Sequence, residues 1–179
     1  MLDFLIDHLY EEVNMLKAKI EKLTLESFAP FGYFAKMIDP KAEYVGGAPS
    51  EFYRDMLQLD LGQATKASFS ICRVTKRPEV VTTTEIHSSC GEGILPLDND
   101  ILIHVAPASR NGDIPCEKIQ IFSVPKGTMV VLKPGVFHHA PFVAKGEHVS
   151  VLIVLPERTY ANDCQVFELT DKQKVAIEK

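Results

Sequence analysis

The sequence predicts an all-β domain, a sandwich or jelly roll, with an amphipathic helix at its N-terminus. Three observations predict it. Past residue 23, runs rich in Val, Ile, Thr and Phe alternate with Gly, Pro and Asn-Gly punctuation. No helix-length pattern interrupts those runs, which excludes parallel βαβ units. A helical stripe is confined to the first 22 residues.

Leu2, Leu5 or Ile6, Leu9, Val13, Leu16 and Ile20 recur at helical spacing, with Glu11, Glu12, Lys17 and Lys19 outside the stripe. Residues 1–22 therefore read as a helical extension and 23–179 as the domain proper. Thr24 through Phe28 form a cap and one short turn, closed by Pro30 and Gly32. Strands follow near 53–60, 67–73, 80–87, 93–97, 101–106, 118–124, 128–132, 136–143, 149–155 and 164–169. The breaks between them include Gly46-Gly47-Ala48-Pro49, Asp98-Asn99-Asp100, Asn111-Gly112, Lys133-Pro134-Gly135 and Pro156.

A chain of 179 residues with 46% hydrophobic content can bury a core without staples. The net charge of −5, with no run of Lys or Arg, argues against nucleic acid or an anionic membrane as a partner. Cys72, Cys90, Cys116 and Cys164 lie far apart with no Cys-x-x-Cys pair, so a zinc ribbon is not expected. No basic n-region opens the chain, and no apolar run reaches about 20 residues, the length of a membrane span. A cytoplasmic protein with free thiols is expected.

Chemistry concentrates in two stretches, Glu85-Ile86-His87 through Glu92 and Pro134 through His139. On a strand, Glu85 and His87 project from one face. A bend at Gly91 lets Glu92 return to them, and His138 arrives behind a Pro-Gly turn. Converged, Glu85, His87, Glu92 and His138 form a mixed N/O set suited to Mn, Fe, Ni, Co or Zn. His138 and His139 are adjacent and face opposite sides of an extended strand, so only one can be a ligand; His138 is chosen. His139 and Lys133 are candidates for proton transfer. Arg73, at a strand end, is a candidate carboxylate clamp, and Phe137 a candidate substrate contact. His104 reads as an imidazole hydrogen-bonded within a sheet, and His8 and His148 as surface residues.

Glu85-x-His87-x4-Glu92 and Pro134-Gly135-x-x-His138 resemble the two cupin motifs, with Glu85 in place of the usual first His. The wider chain resembles the ureidoglycolate lyase family of cupins. Leu23 through Gly32 is similar to that family's opening. Glu85-Ile86-His87, Ile94 through Leu97 and Ile101 through Pro107 resemble its central segment. Gly135-Val136-Phe137-His138-His139 resembles its Gly-Val-Trp-His-His, and Asn162 through Val166 its C-terminal Asp-Cys-x-Val. Three positions depart from the family: Pro134 replaces an Arg, Phe137 a Trp, and Ser150 an acidic residue.

The resemblance implies a cupin jelly roll, a divalent metal (Zn, Mn, Ni or Fe), a homodimer, and cleavage of ureidoglycolate, a small anionic metabolite, to glyoxylate and urea. A metal-dependent isomerase or oxygenase of a small sugar or acid, and a metabolite-binding cupin without catalysis, remain open alternatives.

Overall fold

The computed structural model describes residues 15–179. Its strands are β1 (Leu16–Lys22), β2 (Gly32–Lys36), β3 (Val45–Gly47), β4 (Ser50–Phe52), β5 (Ala67–Thr75), β6 (Val80–Val81), β7 (Thr83–Ile86) and β8 (Glu92–Pro96). They continue with β9 (Ile101–Val105), β10 (Gln120–Val124), β11 (Thr128–Leu132), β12 (Phe142–Val143), β13 (His148–Pro156), β14 (Gln165–Glu168) and β15 (Val175–Glu178). Two one-turn α-helices, α1 (Leu25–Phe28) and α2 (Thr159–Asn162), and a 3-10 turn at Cys116–Lys118 complete the described residues.

Two sheets dominate: a six-stranded sheet ordered β12-β9-β10-β1-β15-β6 and a five-stranded sheet ordered β2-β11-β8-β13-β5. Their facing side chains make one core. Ile101, Ile103 and Val105 of β9 and Phe122 and Val124 of β10 meet Ile94, Val130, Leu132, Val151 and Ile153 from the other sheet. Alternation along β9 sends Leu102 and Ala106 to the opposite face, where they join Phe137, Phe142, Leu169 and Val175 in a second core. The β7–β14 and β3–β4 pairs stand apart as two-stranded ribbons. The jelly-roll expectation agrees with this arrangement.

Three expectations change. Residues 16–22 are a strand, not the end of a helix, and pair in parallel with both β10 and β15; the rest of the expected helix lies outside the described residues. Leu16, Ala18 and Ile20 pack against the second core while Lys17 and Lys19 between them are exposed, a period of two. Residues 53–60 form no strand; Asp55 takes positive φ there, and the hairpin β3–β4 precedes it instead. Residues 136–143 pair only through the isolated bridges at Phe137 and His138 and the short β12. The turn at 24–28 follows the capping chemistry: Thr24 accepts from the Ser27 N–H, and Ser27 accepts from the Thr24 N–H.

Candidate metal centre

The site is assembled by three backbone devices. On β7, Glu85 and the two-residue step to His87 set both side chains inward, and Glu85 pairs with His138 through Glu85 N–H to His138 O (2.5 Å) and His138 N–H to Glu85 O (2.9 Å). Glu92 opens β8 beside the inward Ile94. Gly135, at φ 82°, turns the chain so that its N–H donates to the His87 carbonyl at 2.7 Å; a non-glycine residue would be strained there. The four side chains are buried, and their ligand atoms lie within 4.8 Å of one another.

Hydrogen bonding fixes the tautomers. His87 Nδ1 faces the Asp163 carbonyl at 2.6 Å and His138 Nδ1 the Val136 carbonyl at 2.9 Å. A carbonyl only accepts, so each Nδ1 carries its proton and each Nε2 presents a lone pair inward. Both Nε2 atoms converge on one oxygen, Glu92 Oε2, at 3.1 and 2.9 Å. Lone pairs and a carboxylate oxygen facing one another require either a proton on each ring or a shared cation. Without a cation, burial would raise the Glu92 carboxyl, but the charges and hydrogen bonds of His138 and His87 outweigh it and bring it down to about 2. His138 shifts upward: burial opposes its charge, and the Glu92 carboxylate overcomes burial. Two neutral imidazoles and two carboxylates are a donor set that fits a borderline divalent cation.

Around the quartet stand groups that local sequence patterns did not single out. The Asp163 carboxylate accepts from Ser88 N–H (2.8 Å), Ser89 N–H (2.9 Å) and Ser89 Oγ (2.6 Å). Cys164 Sγ donates to Glu85 Oε2 at 3.5 Å. Tyr160 sets its ring edge-on to His87 at 6.2 Å; although the residue is largely exposed, partial desolvation of its phenol, followed by the charges of Glu92 and Glu85, keeps it protonated. Only the Asp-Cys pair carried a sequence signal, through the family's C-terminal segment.

The remaining candidates lie elsewhere. Arg73 is exposed and faces outward on β5, opposite Ser150 of β13. Lys133 donates from Nζ to the Ala29 carbonyl at 2.6 Å and sits 5.1 Å from the Tyr33 ring centroid. Phe137 is buried in the second core beside Phe167. His139 projects away from His138 into a separate cavity shared with Arg77 and His104. Two of the three family departures, Phe137 and Ser150, therefore fall on faces turned away from the quartet.

A jelly roll whose inner wall carries Glu-x-His on one strand, an acid on the next and a His bridged to the first defines a cupin with a metal-type site. The profile of the ureidoglycolate lyase family matches residues 15–177, and the chain belongs to that family. A ureidoglycolate lyase of Burkholderia mallei (strain NCTC 10229) is 29% identical over 144 residues, covering 78% of this chain and 82% of the relative. A ureidoglycolate lyase of Rhodobacter capsulatus is 30% identical over 86 residues, covering 47% of this chain and 53% of the relative. Among solved structures, a dTDP sugar isomerase from Desulfovibrio desulfuricans aligns with TM-score 0.46 and 14% identity over 79% of this chain and 87% of its own. A Bacillus subtilis oxalate decarboxylase aligns with TM-score 0.41 and 14% identity over 57% of this chain and 24% of its own.

Proposed function

We propose that this chain is a ureidoglycolate lyase that releases glyoxylate and urea, with a divalent cation held by Glu85, His87, Glu92 and His138. The observation that carries the reading is the convergence of two lone-pair Nε2 atoms and Glu92 Oε2 inside a buried site. Membership of the lyase family supplies the substrate. When bound, the cation would supply positive charge for the substrate's carboxylate and its developing alkoxide.

The chain's own groups account for the protons. A base takes the carbinol hydroxyl proton, the C=O forms, the C–N bond breaks, and the urea nitrogen receives a proton. Two groups are placed for this exchange, Tyr160 beside the quartet and Glu85 within it. Tyr160, a neutral phenol over His87, is suited to donate to the leaving nitrogen. The Glu85 carboxylate, which accepts a hydrogen bond from Cys164 Sγ, is suited to accept the hydroxyl proton. His139 and Lys133, the candidates from sequence, face other surroundings. We also infer a cytoplasmic homodimer active in allantoin and purine catabolism. The exposed apolar residues of β5 support the dimer; the family supports the catabolic role.

Purified protein is expected to release glyoxylate from ureidoglycolate, and His87→Ala and His138→Ala to lose both this activity and bound metal. No turnover by the unaltered protein with any added divalent metal would reject the lyase reading.

A further inference from the structure

Behind the strand that carries His138 lies a second cavity, of about 240 Å³, lined by Arg77, Thr82, Thr83, His104, His139 and Phe142. It lies across the six-stranded sheet from the first core, because His104 alternates with the core-facing Ile103 on β9 and His139 with His138 of the quartet. Three features of it are unexplained by the metal centre.

The first is Arg77. Its two terminal nitrogens donate to the Ala140 and Pro141 carbonyls, each at 2.8 Å, and its guanidinium lies 4.0 Å from the Phe142 ring centroid. These contacts hold the fork rigid and leave N–H groups free. No carboxylate pairs with it among the described residues. The nearby acid, Glu168, is exposed and accepts from Thr83 Oγ1 at 3.0 Å.

The second feature is the tautomer of His104, which is 1% exposed. Thr84 Oγ1 spends its proton on the His138 carbonyl at 3.1 Å. It must therefore accept from His104 Nε2, 3.3 Å away. His104 Nδ1 is left as a bare acceptor with no partner, buried inside the protein. A buried acceptor without a donor costs free energy that a ligand can recover.

The third feature is His139, which adds another ring nitrogen at the same cavity. A fixed guanidinium calls for an oxyanion, and the free acceptor calls for an O–H or N–H beside it.

We propose that this cavity is a second binding site, for a small carboxylate carrying an adjacent O–H or N–H group. Arg77 takes the carboxylate and His104 Nδ1 accepts from the neighbouring donor. Thr84 links the two sites, since one hydroxyl touches both His104 and the His138 carbonyl. The proposal needs no particular reaction at the quartet, so the lyase reading and this site stand or fall separately.

Glycolate and acetate, which differ by the hydroxyl, test it by calorimetric titration of the protein as purified. Saturable glycolate binding is expected, with acetate about fivefold to tenfold weaker, as loss of one hydrogen bond to a buried acceptor gives. His104→Leu is expected to erase that difference. Absent or equal binding of the two acids, or a preference untouched by His104→Leu, overturns the proposal. Because the substitution could impair folding, a crystal structure of the unaltered protein with glycolate gives a second reading. Glycolate in this cavity supports the site; glycolate at the quartet alone overturns it.

Discussion

Burial holds His104 uncharged: desolvation lowers its pKa from 6.5 to about 3, and the charges of His138, His139 and Arg77 act in the same direction. The consequence for stability follows from proton binding. Below pH 6.5 the unfolded chain takes up a proton at this residue, while the folded chain refuses it until about pH 3. Stability contributed by His104 is therefore present above pH 6.5 and declines as pH falls towards 3, at up to about 1.4 kcal/mol per pH unit. Urea denaturation of His104→Leu between pH 7 and pH 4 should show a shallower decline than the unaltered protein. Equal slopes would mean that the ring is protonated or solvated in the native state. Residue order alone predicts a satisfied histidine here, since a missing partner at one ring nitrogen has no signature in sequence. The quartet was far more legible, because Glu85 and His87 at i and i+2 share a face on any strand, and His138 and His139 cannot.

Asp163 organises the metal centre at the level of elements. Its main-chain carbonyl orients His87, and its carboxylate gathers the Ser88 and Ser89 amides and the Ser89 hydroxyl. The loop between His87 and Glu92 is thus tied down from both ends, by β7 and β8, and from above by a residue 75 positions later. Asp163→Ala keeps the carbonyl and removes the grip on the loop. It should cost about 1–3 kcal/mol in denaturant unfolding and weaken metal binding about tenfold by chelator competition. Unchanged metal affinity would make Asp163 a loop staple only. So long a link is invisible in local spacing, and the same holds for β1. Leu16 and Ile20 fit both a helical stripe and a two-residue alternation; Ala18, small and packed on the second core, distinguishes them. The strand is decided by its two parallel neighbours, β10 and β15, which no local pattern announces.

The whole molecule has two unlike outer faces. Over the six-stranded sheet the second core covers Leu102, Ile121 and Phe137. Over the five-stranded sheet nothing comparable covers the outer side chains among the described residues. Phe69 is 70% exposed and Ile71 61% exposed on β5, while Tyr33 and Met37 are exposed at the β2 side. In register beside Ile71 is the half-buried Leu152 of β13, which extends the apolar surface inward from the edge, while Val154 beside Phe69 is already buried. β5 also ends its sheet, so one side of its backbone has no strand partner there. A long apolar edge is a hazard for a monomer and an asset for a symmetric pair. A second copy meeting this face would bury Phe69 and Ile71, each fully buried aliphatic or aromatic side chain contributing about 1.5–3 kcal/mol. Sedimentation equilibrium of the unaltered protein should therefore give twice the chain mass at micromolar concentration. Ile71→Lys, which places a charge in the centre of that contact, should give the monomer while preserving the β-rich circular dichroism spectrum. The quartet lies inside the sandwich, so the monomeric variant should bind divalent metal as tightly as the unaltered protein. A single chain mass for the unaltered protein would refute the dimer and leave the apolar edge to another partner.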